Sequence, residues 1–378
     1  MNKSDRYLVK DIHNILENGY KDINPRPRYE DGTPAHTISV NHVTRKYDLS
    51  KGEFPISTLR PQAWKTGIRE IFTIYQHPTN VISEMRDMGV TWWDPWDIGD
   101  GTIGQRYGAT VKRYDLIHNL IADIQKDPYG RRKVVSLWQE KDLRETKGLA
   151  PCCFLTMWNV RGEYLDMSMI QRSGDMLTAS GAGGINEIQY AALLMMIARV
   201  TGYEPGVFTH FVANEQIYDR HMDNAQELLR RALNHMDEQS CFFKPVRLNG
   251  YPFDKKAEKI TVPVDAETTQ RISDGNMVFL VDEQMTETLT DYAYVMKGVK
   301  KDEDGYAICL YRCAPFSLSA RQDILERMNK QMSSGVQRDP ALILHKEKGC
   351  RFEDITLEDF EIQDYSPMKP QLKFELGI

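Results

Sequence analysis

The chain has 378 residues, with 48 Lys+Arg against 54 Asp+Glu and a formal net charge of −6. Its 41% apolar content, 25 Gly, 17 Pro and 6 Cys exclude the disordered, collagenous and disulfide-stapled classes. A chain this long buries about three-quarters of its unfolded surface and needs neither disulfides nor metal to fold, and its mild acidity speaks against wholesale wrapping of nucleic acid while leaving room for one local basic pocket.

The opening MNKSDRYLVKDI is polar and lacks the apolar stretch of a signal peptide. No run approaches the roughly 18–20 apolar residues of a membrane helix, so no membrane association is expected. The sparse cysteines suggest no disulfide framework and point to a reducing cytoplasm.

Residues 5–18 place Leu8, Ile12, Ile15 and Leu16 on one helical face, with Gly19 as the expected C′ residue. Residues 24–36 read as a loop and 37–48 as a strand. A helix is expected over 62–76, with Ile68, Ile71, Phe72 and Tyr75 on its apolar side, and another over 114–126. Val134–Trp138 is a short β-prone run, while 153–160 and 163–171 predict two strands joined at Arg161-Gly162. Gly181–Gly184 breaks the chain before an apolar helix that Asn186 opens and Gly202 ends. This order is an α+β pattern rather than a βαβα repeat. From 233 to 338 charged stretches alternate with short β-like runs, which predicts a subdomain inserted into a main domain of 1–232 and 339–378.

Cys152, in Leu149-Ala150-Pro151-Cys152-Cys153, becomes a nucleophile only if nearby cations or a helix N-terminus stabilise its thiolate. Arg131, Arg132 and Arg172 are candidate cations; the plainer alternative is a buried thiol packed as a small hydrophobe. Arg172-Ser173 suits a phosphate or carboxylate, or Arg172 simply pairs with Asp175 at the surface. Asn186 is a good helix N-cap, and its amide is also fit to read a pyrimidine edge. Trp92, Trp93 and Trp96 fill core or stack on a heterocycle. No zinc-ligand spacing or HExxH occurs, so no metal is expected.

Taken in order, these segments resemble the thymidylate synthase family. The resemblance is carried by DGTPAHT with Arg26 upstream, FPISTLR, IREIFTIYQ, TWWDPWD followed by GTIGQRYG, and DPYGRRKVVSLW. It continues through LAPC, QRSGD, GINEIQYAALLMMIA, QIYDRHMD and the tail DFEIQDYSPMKPQLKFELGI. It covers about 25–232 and 352–378 and leaves 233–338 without a counterpart.

The resemblance implies an α+β thymidylate synthase-like fold with a mixed sheet as a homodimer interface, surrounded by helices. It implies a methyltransferase that converts dUMP to dTMP with 5,10-methylenetetrahydrofolate as co-substrate. Cys152 would attack C6 of the uracil ring. Arg172 and Ser173 match the phosphate-binding pair, Arg131 and Arg132 the arginines donated across the dimer, and Arg26 the mobile phosphate-binding arginine. Asn186 matches the amide that reads uracil O4 and N3, and Tyr218 the tyrosine at the deoxyribose hydroxyl. Glu70 and Tyr107 match the groups that organise water and proton transfer, and Asp175 the carboxylate that binds the pterin. Trp93 and Trp96 match the tryptophans beside the folate, and Ile378 would close over the ligands.

Four departures stand out. Cys153 and Gln216 replace the usual histidines, Arg60-Pro61 replaces Lys-Arg, and the loop after Asp175 is longer than usual. The Gln216 departure bears on recognition of the deoxyribose, and the folate-side changes keep a second outcome open, in which water attacks the intermediate and the product is a 5-hydroxymethyl nucleotide. A third is a degenerate paralogue that binds nucleotide without turnover.

Overall fold

The computed structural model describes residues 1–239, 241–247, 251–256, 259–266, 268–269, 277–282, 293–302, 305–313 and 339–377. The chain divides into two compact units: Asn2–Ala232 with Asp339–Ile378, and Leu233–Arg338 with Met1.

In the first unit, α1 (Lys3–Asn18) buries Leu8, Ile12 and Ile15 and starts at Asn2, whose side chain accepts from Asp5 N at 2.9 Å. Gly19 closes α1 with extended backbone, φ −74° and ψ 153°, rather than a left-handed cap, because the chain passes straight into β1 (Tyr20–Lys21). The long β2 (Thr37–Asp48) follows as expected. The helix expected over 62–76 is α2 (Trp64–Ile71), continued by a π-helical turn over Phe72–Gln76. After α3 (Ile82–Asp87), the region around 114–126 forms two helices, α4 (Gly108–Tyr114) and α5 (Leu116–Lys126). Asp115, at φ 48°, separates them, an orientation Asp tolerates better than most residues.

β3 (Val134–Ser136) is shorter than expected and leads through α6 (Glu140–Glu145) to β4 (Cys153–Arg161) and β5 (Tyr164–Gln171). β6 (Gly174–Asp175) and a second π-helical turn, Met176–Ser180, precede α7 (Ile185–Thr201), which is buried along nearly its whole length. Gly202, at φ 85°, ends α7 in the left-handed conformation glycine adopts most readily. β7 (Glu204–Tyr218) and α8 (Met222–Gln239) follow.

The sheet runs β1-β2-β7-β5-β4-β3, with β6 also on β7. It is mixed: β5 and β6 pair with β7 in parallel, and the other pairs are antiparallel. The α+β expectation holds, with a single parallel crossover, β5 to β7 through α7. Met167, Met169 and Phe208 point from this sheet into a core shared with α2, α5 and α7. A closing hairpin, β14 (Ala341–Leu344) with β15 (Phe360–Gln363), brings Leu342, Phe352, Ile355 and Phe360 into the same core. Gln76 Nε2 donates to the carbonyls of Phe352 and Ile355 at 2.6 and 2.8 Å, which fixes this segment to the π-helical turn.

The second unit contains β8 (Cys241–Val246), β9 (Phe253–Asp254), β10 (Lys259–Pro263), β11 (Met277–Asp282), β12 (Ala293–Asp302) and β13 (Gly305–Cys313). They form a four-stranded sheet, β12-β13-β10-β9, and a parallel pair, β11 with β8. No helix among the described residues is long and apolar enough to cross a membrane.

Candidate active site

Cys152 precedes β4, and its half-buried sulfur lies 3.5 Å from Arg172 Nη2. Arg172 follows β5, and the two segments are tied by Arg172 N donating to Cys152 O at 3.0 Å. The guanidinium also donates to the carbonyls of Pro151 at 3.0 Å and Ala150 at 2.7 Å. It therefore makes no ion pair with Asp175, whose carboxylate accepts from Leu177 N at 3.2 Å instead. Burial pushes the Cys152 thiol up, while the charges of Arg172 and then Arg26 pull it back down. Burial prevails, so in the free protein the thiol form is favoured.

Behind Cys152, its backbone N–H donates to the Tyr107 hydroxyl at 3.2 Å. Tyr107 is buried against Trp93, ring centroids 4.9 Å apart, and holds φ 47°, ψ −109°. Such a backbone in a non-glycine residue costs about 1–3 kcal/mol and persists only where packing enforces it.

Glu70, on α2, is 7% exposed. Its Oε1 accepts from Trp93 Nε1 at 2.6 Å and its Oε2 from Gln189 Nε2, with Trp92 contributing a further donor. Burial outweighs these donors and raises the carboxyl to about 7, in the range useful for proton transfer near neutral pH.

Asn186 departs from the N-cap expectation. Gly184 caps α7, and Asn186 lies inside the first turn with no capping bond. Its Oδ1 accepts from Gln171 Nε2 at 3.1 Å and its Nδ2 donates to Gln189 Oε1 at 3.1 Å. Gly183 makes this start of α7 possible: at φ 66°, a Cβ there would stand 2.2 Å from Ser57 N.

Gln171 extends the chain of contacts inward. Its Oε1 faces His210 Nε2 at 2.9 Å and accepts from Cys153 Sγ at 3.3 Å; its Nε2 also donates to Ser173 O at 3.1 Å. His210 Nδ1 lies 2.9 Å from Glu187 Oε1. Beyond it, fully buried Arg45 binds Glu187, Asp11 and Glu215 at 2.7, 2.7 and 2.8 Å.

Tyr218, at the end of β7, is buried beside Tyr29 and His221 and hydrogen-bonds Gln216. Burial first, then the charge of Asp175, raises its phenol to about 12; Arg26 lowers it and the Cys152 sulfur raises it. Asp175 pairs with Gln216 across β6 and β7. His221 Nδ1 stands 3.8 Å from Asp175 Oδ1, too far for a hydrogen bond, and has no hydrogen-bond partner among the described residues. The tail packs here: His221 Nε2 donates to Glu375 O at 2.7 Å, and Phe374 sits edge-on to His221 and under Arg60.

The structure thus joins Cys152, Arg172, Tyr107, Trp93, Glu70 and Asn186 through connected contacts, groups Asp175, Gln216 and Tyr218 beside one another, and leaves Arg26 close enough for its charge to act on Cys152 and Tyr218. Ser173 and Trp96 are half-buried nearby in sequence, and Arg131 and Arg132 are exposed on the turn before β3. Ile378 lies outside the described residues. Sequence reasoning missed Gln171, Gln189 and His221. The first opens the quoted QRSGD motif, and the second is three residues beyond Asn186 on the same helix face. Among the described residues no group of His, Cys, Asp and Glu could hold a metal ion.

A mixed sheet carrying a thiol–guanidinium pair beside a buried carboxylate and an ordered amide defines the class, and the sequence comparisons agree with it. The profile of the thymidylate synthase family matches residues 6–253, and the chain belongs to this family. It is 44% identical to the thymidylate synthase of Streptococcus pneumoniae strain 70585 and 35% identical to that of Lactococcus lactis subsp. cremoris strain SK11. Both alignments cover the whole of each chain. Its fold is similar to that of the thermostable thymidylate synthase A from Bacillus subtilis, with TM-score 0.65, 24% identity and 99% of both chains covered.

Proposed function

We propose that this methyltransferase reductively methylates dUMP to dTMP with 5,10-methylenetetrahydrofolate through a covalent bond between Cys152 and C6 of uracil. The observation that carries the reading is the placement of the Cys152 sulfur beside Arg172, with Asn186 bonded through Gln189 to Glu70. Bound dUMP would place its phosphate at Arg172, Ser173 and Arg26, joined by Arg131 and Arg132 of a second copy. That anchoring makes ring attack effectively intramolecular. Cys152 Sγ adds to C6, and the electron pair moves onto C5 and O4 as an enolate. Asn186 donates to O4 and accepts from N3–H, while Tyr218 and Gln216 face the sugar. Glu70, with Tyr107, handles the protons, and expulsion of Cys152 restores the ring.

The residues present suit a folate. Asp175 offers a half-buried acceptor beside the unpartnered His221 Nδ1, and Trp93 and Trp96 offer flat apolar surface. The co-substrate supplies the one-carbon unit and the hydride. The tail packed at His221 and Tyr218 would exclude water as a lid.

The named relatives are synthases, and no observation favours the hydroxymethylase. A homodimer is supported by the sheet's outward positions, where Val134 and Met157 are exposed and Ile170 and Phe211 are half-covered in the single chain. We assign the catalytic role to 1–232 and 339–378, leave 233–338 as an insertion of unassigned role, and place the protein in the cytoplasm, which suits free thiols at Cys152, Cys153 and Cys350. Neither a nucleic acid nor a membrane partner is part of the reading. Incubation with dUMP and methylenetetrahydrofolate should yield dTMP and dihydrofolate in equal amounts. Hydroxymethyl-dUMP without dihydrofolate would overturn it.

A further inference from the structure

Gln189 stands between two groups that the reaction treats separately. It lies on α7, 3% exposed, three residues after Asn186. Its oxygen accepts from Asn186 Nδ2 at 3.1 Å and its nitrogen donates to Glu70 Oε2. The other oxygen of Glu70 accepts from Trp93 Nε1, and Trp92 adds another N–H donor. Every neighbour bonded to the carboxyl is therefore a donor, which suits a carboxylate and leaves an acid proton with no acceptor.

Protonated Glu70 gains an acceptor only if the Gln189 amide turns over, presenting its oxygen to Glu70 and its nitrogen to Asn186. Two NH2 groups would then face each other unless Asn186 also turns. That second rotation is opposed by Gln171 Nε2, which donates to Asn186 Oδ1. Gln171 is itself held by Ser173 O, which can only accept, and by the Cys153 thiol, which donates to its oxygen. The titratable groups that feel Glu70 from packed elements are the Tyr107 phenol on the α4 side and the Cys153 thiol on β4, both kept neutral by burial.

We propose that Gln189 is a positioning residue that ties the protonation state of Glu70 to the amide orientation of Asn186, and thereby sets the preference for uracil over cytosine. With Glu70 ionised, Asn186 keeps its N–H towards Gln189 and its oxygen towards Gln171, the orientation assigned above to uracil O4 and N3–H. With Glu70 protonated that orientation loses its support, and the reversed amide matches cytosine, whose N3 accepts and whose 4-amino group donates. The proposal rests on the assignment of dUMP as substrate and adds a link between acid–base state and base choice.

The test is equilibrium binding of dUMP and dCMP to the full-length protein at pH 6 and pH 8. Phosphate titration affects both nucleotides alike and cancels in the ratio. The dUMP:dCMP preference should fall about tenfold from pH 8 to pH 6, the effect of one misdirected hydrogen bond. In Gln189→Leu the ratio should be low and independent of pH, and in Gln189→Glu, whose carboxyl still accepts from Asn186 Nδ2, it should stay high at both pH values with the acidic limb of turnover moved to higher pH. An equal ratio at both pH values in the unmodified protein overturns the link, and this readout needs no variant to fold. Retention of the pH-dependent ratio in Gln189→Leu overturns it as well. Failure of the unmodified protein to bind dUMP at all would instead remove the substrate assignment beneath it.

Discussion

Arg172 Nη2 stands 3.5 Å from the sulfur of Cys152 while donating at 2.7 Å to the carbonyl of Ala150, two residues earlier. One guanidinium thus shapes the loop that presents the thiol and supplies the nearest positive charge. Removing an adjacent cation raises a partner's pKa by about one unit or more. Arg172→Ala should slow iodoacetamide alkylation of Cys152 at pH 8 about tenfold. An unchanged rate would show that the guanidinium does not tune the thiol.

The two adjacent cysteines should behave differently. Cys153 is buried, bonds Gln171, and is pushed far up by burial. Cys152→Ala should lose the covalent adduct with 5-fluoro-dUMP and at least about a thousandfold in turnover. Cys153→Ala should keep the adduct, read by mass spectrometry; its loss there would place the nucleophile wrongly.

Glu70, raised to about 7, should give kcat/KM an acidic limb near that pH. Glu70→Gln should flatten the limb and lower turnover about a hundredfold to ten-thousandfold. Stability moves the other way. Between 4.5 and about 7 the folded state binds more protons than the unfolded state, so ionisation weakens folding as pH rises, by about 3 kcal/mol across the window. The Tm gap between unmodified protein and Glu70→Gln should shift in favour of the variant from pH 5 to pH 8. A constant gap contradicts the raised carboxyl.

Arg45 is held by three carboxylates in a region without solvent. Arg45→Met leaves those carboxylates without their counter-charge and should cost about 3–5 kcal/mol in urea unfolding. A loss below about 1 kcal/mol would mean that the cluster relaxes by taking up protons.

Shared sites make a genetic prediction. Arg132→Ala and Cys152→Ala proteins, each inactive alone, should regain partial turnover when mixed and allowed to exchange subunits, since one hybrid site has both groups intact. No recovery despite exchange rules out donation of Arg132 across the interface.

Local pattern made α1, β2 and the β4–β5 pair legible, because burial on one face leaves a period in the sequence, and α7 legible as an unbroken apolar run closed by Gly202. The breaks were not: Asp115 divides a continuous apolar face, and the π-helical turn after Ile71 keeps the apolar residues of an α-helix. The parallel pairing of β5 with β7 depends on α7 folding back between them, which no alternation within either strand encodes. The same holds for the site. Cys152, Arg172 and Asn186 announce themselves in quoted motifs, whereas Gln189 meets Glu70 across 119 positions and Arg45 meets Glu215 across 170. Asn186 was legible as a polar residue at a helix start, but its place within the first turn rather than at the cap, free to bond two glutamines, was set by Gly183 and Gly184.

Phe352, Ile355 and Phe360 fill the same interior as α2 and α7, and Gln76 depends on the carbonyls of Phe352 and Ile355. During synthesis, these late residues reach the solvent only after residues 233–338 have left the ribosome. Until then the nascent unit holds an open, greasy gap beside α2, exposed to chaperones and to neighbouring chains. Translation through the intervening segment therefore sets the earliest moment at which the catalytic unit can close.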